Sequence, residues 1–184
     1  MRAQVVLGEV LSSIDNTLTV ASLLARPDPI HRDDTDIATL IAVAIGDMPA
    51  AERGRIQVVR DTTTRTALMD MSLMRLALRN LLSNALKYSP PEMPVVVRVA
   101  DSEEPPALLI EVSDSGRGIP ASLAPRLFTR GGHGGEGSES HGLGLGLYIV
   151  ERVMSLHKGT VELVRSGPDG TTMRLAITQT DSAE

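Results

Sequence analysis

The sequence predicts an α/β (α+β) domain in which one mixed, mainly antiparallel sheet is covered on one face by helices. Three observations predict it. Two stretches, 95–100 and 108–114, alternate in the strand manner, placing Val95, Val97, Val99 and Leu108, Ile110, Val112 on one face each. A final pair of runs, 160–165 and 171–178, flanks Gly167-Pro168-Asp169-Gly170 and reads as a hairpin, with Met173, Leu175 and Ile177 facing the core. Helical patterns are interleaved with these strands, and strands linked by hairpin-length loops pack as a sheet under a helical layer.

The elements follow in order. Residues 3–25 read as one helix, with Leu7, Leu11, Ile14, Leu18, Ala21 and Ala25 at alternating four- and three-residue steps. Such a seam suits a helical hairpin or coiled coil; the other reading is an amphipathic helix lying on the domain. Pro27 and Pro29 end it. Residues 1–28 therefore form a helical segment and 29–36 a linker. A short helix is expected over 37–48 and a strand over 55–61. Asp70 is an N-cap candidate for a helix over 71–88. Pro105 and Pro106 lie in the loop between the two alternating strands. A short helix is expected over 121–128, a glycine-rich loop over 129–141 and a helix over 143–157. The main domain spans 37–180, with a tail at 181–184.

Composition excludes several classes. The chain has 184 residues, 42% hydrophobic and 22% charged, ordinary for a globular domain. It has no cysteine, so neither a disulfide nor a thiolate metal site is available. His31, His133, His141 and His157 lack metal-ligand spacing. Net charge is −5 with no basic cluster, which argues against a nucleic-acid partner. No apolar run reaches the roughly 18–20 residues of a membrane span, and no signal peptide is visible at Met1. A cytoplasmic location is expected, as the chain alone or as the cytoplasmic part of a membrane sensor. With three aromatic residues and no Trp, the core must be aliphatic.

Chemistry concentrates at three places. Eight of the 16 glycines fall between Gly131 and Gly146, and an apolar helical pattern begins at once with Leu147, Val150 and Met154. Backbone N–H groups at a glycine-rich helix start can hold phosphate; the plainer reading is a surface linker. On helix 71–88, Asn80, Asn84 and Lys87 share a face, with Tyr88 at its edge. Asn is a poor helix former, so two of them hint at a site; their amide oxygens suit a hard cation such as Mg²⁺, and Lys87 suits phosphate. The plainer reading is a solvated stripe. Asp114 ends a strand and is followed by Ser115-Gly116-Arg117-Gly118-Ile119-Pro120. A carboxylate there can accept from an exocyclic amine, or the segment is simply a tight turn.

These signals occur in an order that resembles the ATP-binding catalytic domain of sensor histidine kinases, within the wider gyrase, chaperone, kinase and mismatch-repair ATPase superfamily. Asn80-Leu-Leu-Ser-Asn84-Ala-Leu-Lys87-Tyr88-Ser89 resembles the N box, Asp114-Ser-Gly116-Arg-Gly118-Ile-Pro the first glycine box, Leu127-Phe128-Thr129-Arg130-Gly131 the F box, and Gly142-Leu-Gly144-Leu-Gly146-Leu the second glycine box. The resemblance covers roughly 37–178. It implies a two-layer, Bergerat-type sandwich that takes ATP and Mg²⁺. It implies that Asn80 and Asn84 hold the metal and triphosphate, Lys87 contacts phosphate, and Tyr88 packs near the nucleoside. Asp114 would accept from the adenine amino group, and Gly116 and Gly118 would shape its pocket. Gly142, Gly144 and Gly146 would wrap the phosphates, and Arg130 would reach the γ-phosphate. Thr171 or Thr172 matches a threonine near the base. Ile119, Phe128, Leu143, Leu145 and Leu147 belong to the same boxes and would line the site.

Within that superfamily Asn80 discriminates. ATP hydrolases and anti-sigma serine kinases carry a Glu general base there, and an amide has no comparable basicity. An acceptor that is already nucleophilic, a histidine imidazole, suits Asn80. The implied function is transfer of the ATP γ-phosphate to a histidine, with a response regulator receiver domain as partner and a homodimer through the helical hairpin. Two alternatives stay open: an anti-sigma-like regulatory module and a non-catalytic scaffold. The sequence also departs from the pattern. No phosphoacceptor histidine precedes the domain; His31 lies in the linker and is followed by Arg32. Helix 3–25 resembles the second helix of a dimerisation hairpin, so the chain reads as a fragment. Leu143 stands where some relatives have a polar residue near the metal, implying one protein ligand fewer.

Overall fold

The computed structural model describes residues 30–130 and 145–178. The expected helix 3–25, the tail, most of the glycine-rich loop, and Gly142, Leu143 and Gly144 lie outside the described residues.

Strand β1 (Asp33–Asp36) leads into helix α1 (Ile37–Gly46) and a single turn, α2 (Ala50–Arg53). Strands β2 (Ile56–Asp61) and β3 (Thr66–Met69) precede the long helix α3 (Met71–Tyr88). Then come β4 (Val95–Glu103), β5 (Pro106–Ser113), a 3₁₀ turn (Ala124–Arg126), helix α4 (Gly146–Leu156), and the hairpin β6 (Thr160–Gly167) and β7 (Gly170–Thr178).

Five strands form one sheet in the order β2-β4-β5-β7-β6. Only the β2–β4 pair is parallel; the other three are antiparallel, as the mixed, mainly antiparallel reading expects. The alternating residues do what their period requires. Val95, Val97, Val99, Leu108, Ile110, Val112, Met173, Leu175 and Ile177 are all buried, in one cluster with residues of α1, α3 and α4. The opposite face carries a row of paired charges in register: Arg98, Glu111, Arg174 and Glu162. The Arg174 Nε and Nη2 donate to Glu111 Oε1 at 2.9 and 2.7 Å. One face is thus an aliphatic floor for helices and the other a polar exterior.

The helices are placed by caps and by packing. Asp36 accepts from the Thr39 N–H at 2.7 Å, and Asp70 accepts from the Leu73 N–H at 3.0 Å. Helix α3 buries Leu73, Met74, Ala77, Leu78, Leu81, Leu82 and Ala85. Each buried Leu contributes about 1.5–3 kcal/mol, whereas an Asn in a helix costs under about 0.7 kcal/mol relative to Ala. Packing therefore fixes α3 and leaves its Asn residues free to serve another purpose. Arg75 holds Asp47 with two bonds of 2.7 and 2.6 Å, tying α3 to the end of α1.

Several boundaries differ from the sequence reading. Pro106, expected in the loop, is the first residue of β5, and β4, expected to end at 100, runs on to Glu103, which pairs with it. The stretch read as a linker over 29–36 contains β1, paired antiparallel with the unforeseen β3. The helix expected over 37–48 ends at Gly46, and α2 follows as a separate turn beginning after Pro49. The helix expected over 121–128 is only the 3₁₀ turn, because Pro120 and Pro125 lack the N–H groups a longer helix needs. Among the described residues, the helix expected over 143–157 runs from Gly146 to Leu156.

Candidate functional site

Helices α3 and α4 lie side by side on the sheet, and the candidate residues gather where the middle of α3 meets the start of α4. Asn80 is buried, 8% exposed. Its Nδ2 donates to the Leu76 carbonyl at 2.9 Å, which leaves Oδ1 directed outward from the helix. A Cβ added at Gly146 would lie 3.0 Å from that Oδ1. The amide oxygen thus faces the first residue of α4. Down the same stripe Asn84 is half-buried and Lys87 exposed, so the stripe opens steadily toward solvent. The Lys87 ammonium sits 5.5 Å from the centre of the Tyr88 ring.

The start of α4 differs from the other long helices. Its N-cap is Leu145, and no described side chain caps it. The N–H groups of that turn lack the partner that Asp36 and Asp70 provide elsewhere. With the helix dipole they form a locally positive surface beside Asn80.

A second group forms beyond the C-terminus of α3. Asp114 continues β5, and its Oδ1 accepts from the Gly116 N–H at 2.7 Å and the Thr171 N–H at 3.3 Å. No described residue donates to Oδ2, so that oxygen is available. Burial raises the Asp114 pKa; the hydrogen bonds from Gly116 and Thr171, and then Arg165, act in the opposite sense. The loop after Asp114 is clamped from both sides. A Cβ at Gly116 would lie 2.6 Å from the Tyr88 carbonyl oxygen, so only glycine fits against the end of α3. Gly118 abuts Gly167 of β6. The Ile119 N–H donates to Ser166 Oγ at 2.7 Å. Gly170, at φ +121°, would place a Cβ 1.9 Å from the Asp114 carbonyl oxygen. The hairpin can approach Asp114 this closely only with glycine there.

The two threonines separate by strand alternation. Thr171 shares the helix-facing side with Met173 and Leu175, beside Asp114, whereas Thr172 faces the other side and bonds Ser113 Oγ at 2.9 Å. Leu145 and Leu147 are buried, and Leu147 belongs to the core. Phe128 and Ile119 are partly buried against the core. Arg130 is exposed, and no contact among the described residues joins it to the group. Gly142, Leu143 and Gly144 fall outside the described residues. Sequence reasoning missed Ser89, buried and accepting from the Ser115 N–H at 3.4 Å, and Ser166. Ser89 ends the N box and Ser166 adjoins Gly167, and those positions were the only signal of either.

Among the described residues, no group of three His, Cys, Asp or Glu could hold a metal, and no helix is long and apolar enough to cross a membrane. Residues 69–181 match the family model described as histidine kinase-, DNA gyrase B-, and HSP90-like ATPase. Similar proteins include the heme sensor protein HssS of Staphylococcus haemolyticus, 28% identical over 174 residues, covering 94% of this chain and 35% of that protein. The sensor-like histidine kinase SenX3 of Mycobacterium tuberculosis is 32% identical over 148 residues, covering 78% of this chain and 36% of that protein. The chain thus spans about a third of the length of the curated relatives it matches. Full-length ShkA, solved in complex with AMPPNP, shares the fold with a TM-score of 0.76 and 22% identity, covering 95% of this chain and 37% of that one.

Proposed function

Because the chain belongs to the histidine kinase-, DNA gyrase B-, and HSP90-like ATPase family, we propose that it binds ATP between α3 and α4 and passes the γ-phosphate to a histidine of a protein substrate. One observation carries the choice of acceptor. The residue facing the uncapped start of α4 is an amide, Asn80, and not a carboxylate. An amide cannot take a proton from water or from a serine hydroxyl. A neutral imidazole needs no such base, because its nitrogen lone pair is already nucleophilic.

The chain's own groups divide the work. Asp114 Oδ2 accepts from the exocyclic amine of adenine, held in place by the two bonds to Oδ1. Gly116 lets the loop after Asp114 pack directly against the end of α3, where its N–H holds the Asp114 carboxylate. Thr171, on the same face, stands beside the base. The first-turn N–H groups of α4 receive phosphate, and Lys87 adds charge at the open end of the stripe. Mg²⁺ fits the donor set: hard cations at nucleotide sites take few protein oxygens and complete their shell with phosphate oxygens and water. Asn80 Oδ1 and Asn84 would supply the protein's share, and the ion would neutralise charge on the phosphates. Relatives named sensor proteins and sensor histidine kinases are in keeping with a response regulator receiver domain as downstream partner, and a dimerised parent protein belongs to the same proposal.

The test is the chemistry of the product. The protein is incubated with γ-labelled ATP and a helical hairpin bearing a phosphoacceptor histidine. Label that is lost in acid and kept in base marks phosphohistidine and supports the proposal. Acid-stable label marks a phosphoester and favours the serine-kinase alternative. Release of free phosphate without labelled protein would make the chain a hydrolase.

A further inference from the structure

At the end of the helix pair remote from the site, one buried imidazole joins α4 to α3. His157 is 1% exposed. Its Nδ1 lies 2.7 Å from the Val153 carbonyl oxygen, which can only accept, so Nδ1 carries a proton. Its Nε2 lies 3.0 Å from the Asp70 backbone nitrogen, which can only donate, so Nε2 is bare. The ring is therefore neutral, and both nitrogens are engaged. Asp70 is the N-cap of α3, and its own N–H has no acceptor within that helix. The residue that caps the C-terminus of α4 supplies the acceptor.

This contact falls at a matching height. From Asp70 to Asn80 along α3, and from His157 back to Gly146 along α4, the two paths are about 15 and about 16.5 Å at the helical rise. The antiparallel pair thus meets at two heights, by a hydrogen bond at one and by close approach at the other. His157 meets Asp70 at one end, and Asn80 meets Gly146 at the other. A slide of α3 along α4 would disturb both contacts together. The charged groups that act on the ring come from two elements. The Asp70 carboxylate belongs to α3, and its Oδ1 already accepts from the Leu73 N–H. Arg32, from the stretch before β1, donates to the Leu156 carbonyl at 3.3 Å.

We propose that His157 is a positioning residue for the nucleotide site, and that its protonation releases the tie that sets the register of α3 against α4. The proposal rests on the nucleotide reading above. Protonation at Nε2 would set an N–H against the Asp70 N–H, two donors with no acceptor between them. Burial holds the His157 pKa below its ordinary value of 6.5; the Val153 carbonyl opposes this, Arg32 reinforces it and the Asp70 carboxylate opposes it. A depressed base is stabilising in its neutral form. The tie is therefore complete above that ordinary value and is lost as pH falls through the depressed one.

The test uses the whole chain and a His157→Gln variant, whose amide offers a donor and an acceptor and does not titrate. Two quantities are followed from about pH 7.5 to about pH 5, where an imidazole changes charge. One is the Asp70 amide resonance of the wild type; the other is the affinity of each protein for a non-hydrolysable ATP analogue. The Asp70 resonance is expected to move with the titration of the His157 ring. The wild type is expected to lose at least about fivefold more affinity on acidification than the variant, the low end of coupling between sites. Asp114 titrates in both proteins, so their difference isolates His157. Parallel profiles in two proteins that both bind would overturn the positioning role. An Asp70 resonance indifferent to the ring would overturn the tie, and it requires no variant. Absence of binding at every pH would sink the nucleotide reading and the positioning role with it, while the Asp70 resonance would still decide the tie.

Discussion

The N-termini of α3 and α4 face the same physical demand and meet it in opposite ways. Asp70 caps α3 with its side chain, and the Asp70 N–H is itself satisfied by His157. At α4 the cap position is Leu145, no described side chain closes the turn, and the first residue is a glycine that faces Asn80. Among the described residues, side chains finish one end and not the other. A domain that can cap a helix at Asp36 and Asp70 has not capped the one beside its two Asn residues. On the proposed reading that end carries function at the expense of local stability, while the Asp70 carboxylate at the α3 end carries stability alone and the Asp70 N–H, held by His157, carries register.

The comparison can be broken most severely at Asp114. Asp114→Asn keeps the acceptor for Gly116 and Thr171 but removes the charge and offers a donor where adenine donates. Affinity for adenine nucleotides should fall by about ten- to a hundredfold, the size of a lost charge-assisted bond, as calorimetry would measure. The ligand-free melting temperature should hold or rise, because burial opposes the Asp114 charge. A parallel fall in stability would mean that Asp114 is structural. Its raised pKa also sets a pH dependence. Binding needs the carboxylate, so affinity should decline on acidification at a pH above the ordinary carboxylate value of 3.8. A pH-independent affinity down to that value would remove Asp114 from the base pocket.

Asn84→Ala comes next. Magnesium should no longer tighten nucleotide binding, while magnesium-free binding should change little. Equal magnesium dependence in the variant and the wild type would take Asn84 out of the metal's shell. At the finished end, Asp70→Ala should cost about 1 kcal/mol of stability through the lost cap. It should leave nucleotide affinity within about twofold, well inside the effect of one lost hydrogen bond. A large loss of affinity would contradict the division between the two ends. The smallest change is at the far end of α4. Lys158 occupies the left-handed position at φ +55°, and Gly159 closes the turn through the Met154 carbonyl at 2.9 Å. Lys158→Gly should raise stability by about 1 kcal/mol, visible in a thermal melt, without touching nucleotide binding.

Parts of this arrangement were legible before any coordinates. Helix α3 runs over the residues its cap and apolar stripe mark, because Asp70 and the buried Leu positions agree. The central strands follow from period-two Val, Ile and Leu. Strand β1 was hidden because its residues are three aspartates and one threonine. Only Thr35 is buried, and pairing with β3, not hydrophobic pattern, holds it in place. In the site, the glycines and Asn residues announced themselves by being poor choices for their local structure. The separation of Thr171 from Thr172 required the strand register. The function of His157 was illegible for a plainer reason: its partner Asp70 lies 87 residues away in the chain.

The most direct measurement is a calorimetric titration of a non-hydrolysable ATP analogue into the protein, with and without Mg²⁺. Saturable binding that Mg²⁺ strengthens is the expected result. It would mean that the uncapped end of α4 and the Asn stripe work as one site. Absence of binding at millimolar nucleotide would contradict this account and bring the non-catalytic scaffold forward.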